Sequence, residues 1–488
     1  MVSSHDSAAP GRSGPPMARR QEHFLFVTDP MQSHINPARR LAFRVAALLP
    51  SARVTFSTAV SGHRHMFPHL TSPDGEVVQG LVSYIPYSDG FDAGFKFDPD
   101  ARGVVDAYGE RARQAGSETL AAVFARLAGR GRPVTRVVYT ALVGGWAPAV
   151  ARAHGAPAAL YWVKPATVFA VYYHYFHGHD GEVLAACRAS AGDDPDAAVV
   201  RLPGLPPLAA ADLPSFASMA SPGSRNYLTL DTLRDVFAAL DEHMPTVLVD
   251  TFEALEPEAL RAVPGLDLVA VGPVVAEEPC RPCVEVFQPN DARAYLDWLD
   301  TKPARSVVFV SLGSIVSVSK RQDEELRRGL EATDRPYLLV ARKSGGAGDG
   351  SGGGSGRGMV VEWCSETKVL CHGAVGCFVT HCRWDAALES IAGGVPMVAV
   401  PRWGDQPTVA ALVEATAGVG VRARVDAATG GVFGRDELRR CVEMVMGSTD
   451  GAATVRAQAE RWGQRAKEAA ARGGTSERGL RAFASSGL

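Results

Sequence analysis

Two histidines stand where an α/β chain brings side chains to a ligand. His34 follows the apolar run Phe24 to Thr28, and His381 follows the run 375–380 and precedes a helical pattern that carries Trp384 and Leu388. In open α/β sheets, ligands bind beyond the carboxyl ends of the strands, so both imidazoles are placed for chemistry. An imidazole titrates near neutral pH, which makes His34 a candidate general base. His381 is a candidate for holding an anion, because free N–H groups and the helix dipole gather at the start of a helix. Cys280 and Cys283 form a C-x-x-C, but no second pair follows at zinc spacing. The eight irregularly spaced cysteines fit reduced thiols better than a disulfide framework, and no metal site is expected. Neither a G-x-G-x-x-G after a strand nor a G-x-x-x-x-G-K-[ST] occurs, which speaks against a nicotinamide enzyme and a P-loop NTPase.

Holding those histidines takes two α/β units. Short β-rich runs at 24–28, 54–57, 81–85, 136–140 and 158–163 alternate with helical patterns that start at Asn36-Pro37 and recur at 115–128 and 146–154. Asn36 reads as an N-cap and Pro37 as the first helical residue, which leaves His34 in the preceding turn. The alternation restarts with strands at 306–311, 336–341, 375–380 and 395–400 and helices at 321–332, 384–392, 408–416 and 435–446. Such alternation predicts parallel sheets with crossover helices. The expected organisation is a disordered leader over 1–22 with no apolar signal core, an N-terminal unit over 23–262 and a Pro-rich linker over 263–292. A C-terminal unit over 293–451 follows, carrying a flexible Gly and Ser loop at 344–358, and then a helical end at 452–488.

Composition removes other classes. The 488 residues carry 50 Lys plus Arg against 53 Asp plus Glu, a formal net charge of −3. A protein that neutralises many phosphates concentrates cations on one face and runs basic, so no nucleic-acid partner is expected. The most apolar long stretch, 157–173, is broken by Lys164 and Pro165 and falls short of the roughly 20 apolar residues a membrane helix needs. With 46% apolar and 21% charged residues there is material for more than one core, and a soluble, cytoplasmic protein without membrane insertion is expected.

The segment Trp363 to Gln406, WCSETKVLCHGAVGCFVTHCRWDAALESIAGGVPMVAVPRWGDQ, closely resembles the full nucleotide-sugar signature of plant UDP-dependent small-molecule glycosyltransferases. The resemblance extends to HINP at 34–37, LPGLPPL at 202–208, DLPSF at 212–216, FEALEPEALRAV at 252–263 and VSLGSI at 310–315. VVYT at 137–140 and WVKPATVFAVYYHYF at 162–176 look most like the branch of anthocyanin 5-O-glucosyltransferases, crocetin glucosyltransferases and enzymes that make glucose esters of aromatic or auxin-type acids. The resemblance implies a GT-B fold, in which two Rossmann-like, doubly wound parallel-sheet domains face a cleft. The acceptor would lie in the N-terminal half and the UDP-sugar in the C-terminal half, with the last helix crossing back to the first domain.

Carried over residue by residue, Trp363 would stack on uracil, the Cys364 backbone would pair the base edge, and Glu389 would accept the ribose hydroxyls. His381, Ser314 and the helix start at Trp384 would meet the phosphates, and Asp405 with Gln406 would hold the sugar, the Gln favouring glucose. His34 would deprotonate the acceptor, whose oxygen displaces UDP with inversion. The only co-substrate would be UDP-glucose, with neither cofactor nor metal, and the enzyme would be a monomer.

The sequence also departs from the pattern. The usual His-Cys-Gly-Trp-Asn-Ser is His381-Cys382-Arg383-Trp384-Asp385-Ala386, and Glu366 replaces a frequent Gln. Asp385 puts a carboxylate near phosphate, where like charges about 4 Å apart cost on the order of 4 kcal/mol, while Arg383 could offset it. Ala386 lacks a hydroxyl. Thr140 stands where many relatives carry the Asp that orients the base. Without that carboxylate, His34 would serve acceptors that arrive ionised, so glucose esters are favoured, with phenolic hydroxyls next. Lys164, where relatives have Gln, could steer an anionic acceptor. These departures also leave open a weakened paralogue that binds nucleotide sugar or a metabolite as a sensor.

Overall fold

The computed structural model describes residues 21–70, 72, 75–95, 104–189, 198–215, 227–273, 294–313, 319–341, 357–425 and 431–485. In chain order the strands of the first half are β1 (His23–Thr28), β2 (Arg53–Thr58), β3 (Val77–Gln79), β4 (Val82–Tyr84), β5 (Arg136–Thr140), β6 (Ala158–Trp162), β7 (Val199–Val200), β8 (Leu208–Ala209), β9 (Val247–Val249) and β10 (Leu268–Ala270). Eight of them form one sheet in the order β10-β9-β6-β5-β1-β2-β4-β3, parallel except between β3 and β4. The second half holds β11 (Val307–Ser311), β12 (Tyr337–Val340), β13 (Gly358–Val361), β14 (Val375–Thr380), β15 (Met397–Ala399) and β16 (Gly420–Arg422) in an all-parallel sheet ordered β13-β12-β11-β14-β15-β16.

Both sheets are doubly wound. The central strands β1, β5, β11 and β14 are buried along their whole length, as a sheet covered by helices on both faces requires. The winding reverses between β1 and β5 and again between β11 and β14, and crevices open at the carboxyl ends of such switch points. The first crevice collects the residues after Thr28 and Thr140, and the second those after Ser311 and Thr380.

Several boundaries differ from expectation for identifiable reasons. The first helix spans Gln32–Leu48, so His34 sits in its first turn rather than ahead of it, and Pro37 lies inside. The Asp29 carboxylate accepts the Met31 amide at 2.9 Å and sets the turn from which the helix starts early. Pro37 then lacks only the donor that would reach Ser33, in the second turn. A helix at Ala166–His174 has no visible period in the sequence because nearly every residue is buried. Its start is fixed by Glu256, which accepts from the Ala166 and Thr167 amides at 3.1 and 2.9 Å. Strand β10 pairs with β9, so the first half runs to Ala270, past the boundary expected at 262.

The expected C-terminal segment divides between the halves. The helix Asp450–Ala470 stays on the second half, where Trp462 packs with the Trp384–Gly393 helix and donates to the Ala417 carbonyl at 2.9 Å. The helix Thr475–Ser485 returns to the first half, burying Leu480 and Phe483 against Phe24, Leu41 and Val45. Arg136 secures it by donating to the Phe483 carbonyl at 2.7 Å. Phe483→Ala is therefore expected to destabilise the protein by about 3 kcal/mol. A denaturation midpoint unchanged from wild type would contradict that docking. Residues 1–20, Cys280, Cys283, Ser314 and the Gly/Ser loop up to 356 lie outside the described residues. Among the described residues no helix is long and apolar enough to cross a membrane.

Candidate active site

At the first switch point His34 is held by an acid that the sequence reading missed. Its Nδ1 lies 2.5 Å from Oδ2 of Asp29, and both side chains are buried, 9% and 10% exposed. Asp29 leaves the end of β1 and His34 enters the first helix, so one strand-to-helix turn supplies both groups. Thr140, at the end of β5, places its Oγ1 3.4 Å from the same Asp29 oxygen and 3.2 Å from Thr28 Oγ1. The expectation that His34 lacks a carboxylate is thus corrected: the partner comes from position 29, with Thr140 beside it. The signal was an Asp in the turn directly after β1, on the same crevice edge as the histidine. Asp89 is buried on the same half, and burial raises its pKa, with Asp92 and Asp29 adding to the rise.

At the second switch point the loop after β14 turns sharply. Cys382 adopts φ +65°, a left-handed conformation uncommon for a residue with a side chain, and the Trp384–Gly393 helix follows at once. Gly313, with φ +84°, closes on the His381 ring; a Cβ there would lie 2.7 Å from Nε2. Nδ1 of His381 is buried with no hydrogen-bond partner among the described residues. Burial lowers the His381 pKa and the Arg383 charge lowers it further, against the opposing pull of Glu366 and Asp385. A neutral imidazole next to a helix start suits an N–H donor to an anion.

Three of the departures, Arg383, Asp385 and Glu366, form one network. Arg383 Nε donates to Asp385, its Nη2 donates to Glu366 at 2.7 Å, and Ser311 Oγ donates to the other Glu366 oxygen at 2.6 Å. Burial would raise the Asp385 pKa, but the Arg383 charge and hydrogen bond reverse this and hold it below the usual carboxylate value. Asp385 Oδ1 also accepts the Ala386 amide at 2.9 Å, so the helix start is partly capped from within. Arg383 therefore offsets Asp385 by direct pairing. Trp384 is 1% exposed and donates to the Asp250 carbonyl at 2.6 Å, so its ring is a tether between the halves rather than a wall of the site. Asp250 itself is buried, and burial pushes its pKa up to about 7.

Trp363 is half-buried in the loop after β13, and Cys364 beside it is buried. Glu389 faces the first half, where Arg40 donates to its Oε1, while Thr367 donates to Oε2 at 2.9 Å. Asp405 also looks across the cleft: Lys164 Nζ lies 2.5 Å from its Oδ1. Lys164 thus departs from the expectation that it faces an acceptor: its charge is engaged by Asp405. Gln406 accepts the Arg402 and Trp403 amides at 2.8 and 3.1 Å, which shapes the loop before it. That loop is docked on the first half by Ser215, whose amide donates to the Gly404 carbonyl at 2.9 Å. Arg40 and Thr367 carried no sequence signal, since an Arg on a helix and a Thr in a short helix are ordinary surface choices.

A family model described as UDP-glucoronosyl and UDP-glucosyl transferase matches residues 288–446. UDP-glycosyltransferase 75C1 of Solanum lycopersicum is 38% identical over 480 residues, covering 95% of this chain and 98% of its own. Anthocyanidin 3-O-glucoside 5-O-glucosyltransferase 1 of Perilla frutescens is 39% identical over 484 residues, with 96% and 98% covered. Among solved structures, Os79 from O. sativa in complex with UDP superposes with a TM-score of 0.74 at 28% identity, covering 95% of this chain and 99% of its own.

Proposed function

The chain belongs to the family of plant UDP-glucosyltransferases that act on small-molecule acceptors, and from that premise we propose that its acceptor is a hydroxyl-bearing, phenol-like molecule glucosylated from UDP-glucose. The observation that carries this is the 2.5 Å contact between His34 Nδ1 and Asp29. With Nδ1 donating to the carboxylate, Nε2 is the nitrogen left to take a proton from the acceptor. As it does, the acceptor oxygen bonds to the anomeric carbon, the bond from that carbon to the β-phosphate oxygen breaks, and UDP leaves with inversion. Asp29 stabilises the imidazolium that forms.

A phenol of pKa near 10 needs such a base, whereas a carboxylic acid arrives ionised. Both grounds for a carboxylate acceptor have weakened, since His34 has its acid and Lys164 is paired with Asp405. A relative named as a 5-O-glucosyltransferase agrees with a hydroxyl acceptor. The dyad also removes the main motive for a catalytically weakened sensor.

On the donor side, Trp363 stacks on uracil, Cys364 pairs its edge, Glu389 takes the ribose hydroxyls, and Asp405 with Gln406 takes the sugar. His381 and the start of the Trp384–Gly393 helix meet the leaving pyrophosphate, so no metal is invoked. A UDP-release assay with matched aromatic acids and phenols tests the acceptor class. Phenols are expected to give the higher kcat/KM by about tenfold or more, the size expected when a base contributes to the chemical step. Acids outpacing phenols by the same margin, with hydroxylamine-labile ester products, would overturn the reading.

A further inference from the structure

We propose that the N-terminal half contributes two positioning residues to the donor site: Arg40, which sets Glu389 for the ribose hydroxyls, and Lys164, which sets Asp405 for the sugar hydroxyls. The inference rests on the donor roles given to Glu389 and Asp405 above, and its test separates the two. Arg40 Nη1 donates to Glu389 Oε1, Arg40 Nη2 donates to Thr367 Oγ1 at 3.1 Å, and Thr367 Oγ1 donates to Glu389 Oε2 at 2.9 Å. This closed ring fixes the carboxylate plane while each oxygen keeps a further lone pair for a hydroxyl.

Glu389 needs that cation. Its side chain is 12% exposed, and the charges around it are Arg40 from the first helix, Asp385 on its own helix, Glu366, Arg383, and Asp250 with Lys467 along the same cavity. Burial raises the Glu389 pKa, Asp385 and Glu366 raise it further, and Arg40 opposes them. Arg40 is the cation bonded to it directly, so losing Arg40 shifts Glu389 toward its protonated form, which accepts fewer hydrogen bonds.

Lys164 acts in the same way from the next element. It precedes the helix Ala166–His174, whose start Glu256 holds. Its ammonium occupies Asp405 Oδ1, which leaves Oδ2 and the remaining N–H groups for the sugar. Donor recognition on the second half would then depend on cations of the acceptor half.

Calorimetric titration of UDP and of UDP-glucose at about pH 6 and about pH 8 tests this, with Arg40→Gln, Arg40→Lys and Lys164→Gln beside wild type. Arg40→Gln is expected to weaken UDP about tenfold at the higher pH and more at the lower, because acid completes the protonation of Glu389. Arg40→Lys keeps the cation and is expected to fall between it and wild type. Lys164→Gln is expected to leave UDP within about twofold yet weaken UDP-glucose about tenfold. UDP binding by the Arg40 variants that matches wild type at both pH values, or an equal change for UDP and UDP-glucose in Lys164→Gln, overturns the assignment. Glu389→Gln and Asp405→Asn serve as references. If they weaken binding while the Arg40 and Lys164 variants do not, this inference alone fails; if they too bind as wild type, the donor reading fails with it.

Discussion

Asp29→Asn is expected to lower kcat by about 10²- to 10⁴-fold, the range that a misdirected general base produces. The carboxylate accepts the Nδ1 proton of His34 at 2.5 Å, which leaves Nε2 free as a base. An amide can present its NH2 to Nδ1 and so drive the proton onto Nε2, the wrong nitrogen. It also withdraws the negative charge that stabilises the imidazolium. The substitution keeps an oxygen to accept the Met31 amide, so the turn and the helix start survive. UDP affinity is expected to stay at its wild-type value, because the Asp29 carboxylate bonds Met31, His34 and Thr140 and none of the residues assigned to the donor. Thr140→Ala, which removes only a hydroxyl 3.4 Å from Asp29, is expected to change kcat less than tenfold, in line with about 0.5–1.5 kcal/mol for one hydrogen bond. Two results together would exclude the dyad: Asp29→Asn turning over near the wild-type rate, and His34→Ala inactive under the same conditions.

That pair also shows where sequence reading reaches its limit. The central strands and their order along the chain were legible, because β1, β5, β11 and β14 are continuous apolar runs flanked by turn residues. His34 and His381 were legible as residues that follow such strands. The partner of His34 was not, because the family pattern puts the acid at the end of a neighbouring strand, where Thr140 stands, while here it lies five residues upstream in the same turn. The helix Ala166–His174 escaped for a different reason: buried on all sides, it shows no period. Contacts between the halves were out of reach altogether. Arg40 with Glu389, Lys164 with Asp405 and Trp384 with the Asp250 carbonyl each join segments more than a hundred residues apart, and no local pattern encodes such pairings.

Arg383→Gly is expected to weaken UDP binding by about two orders of magnitude, and Asp385→Asn to recover much of that loss. Without the guanidinium, Asp385 and Glu366 stand uncompensated beside the helix start that would receive the pyrophosphate. Like charges about 4 Å apart repel by on the order of 4 kcal/mol at intermediate dielectric, and the Arg383 side chain is 36% exposed, so solvent screening trims the effect to roughly 3 kcal/mol. Asp385 is 10% exposed and would lose its main bonded cation, so the single variant is also expected to melt earlier. Asp385→Asn alone leaves Arg383 on Glu366, removes one negative charge from the phosphate side, and is expected to bind UDP at least as well as wild type. The double variant then shows a coupling of about 1–3 kcal/mol, the size expected for residues in one ion-pair network. Additivity within about 0.5 kcal/mol would mean that the two side chains act independently on the donor. The pairing predicts otherwise: Asp385 is tolerable at this loop only in the presence of Arg383, because the guanidinium neutralises its charge before any ligand arrives.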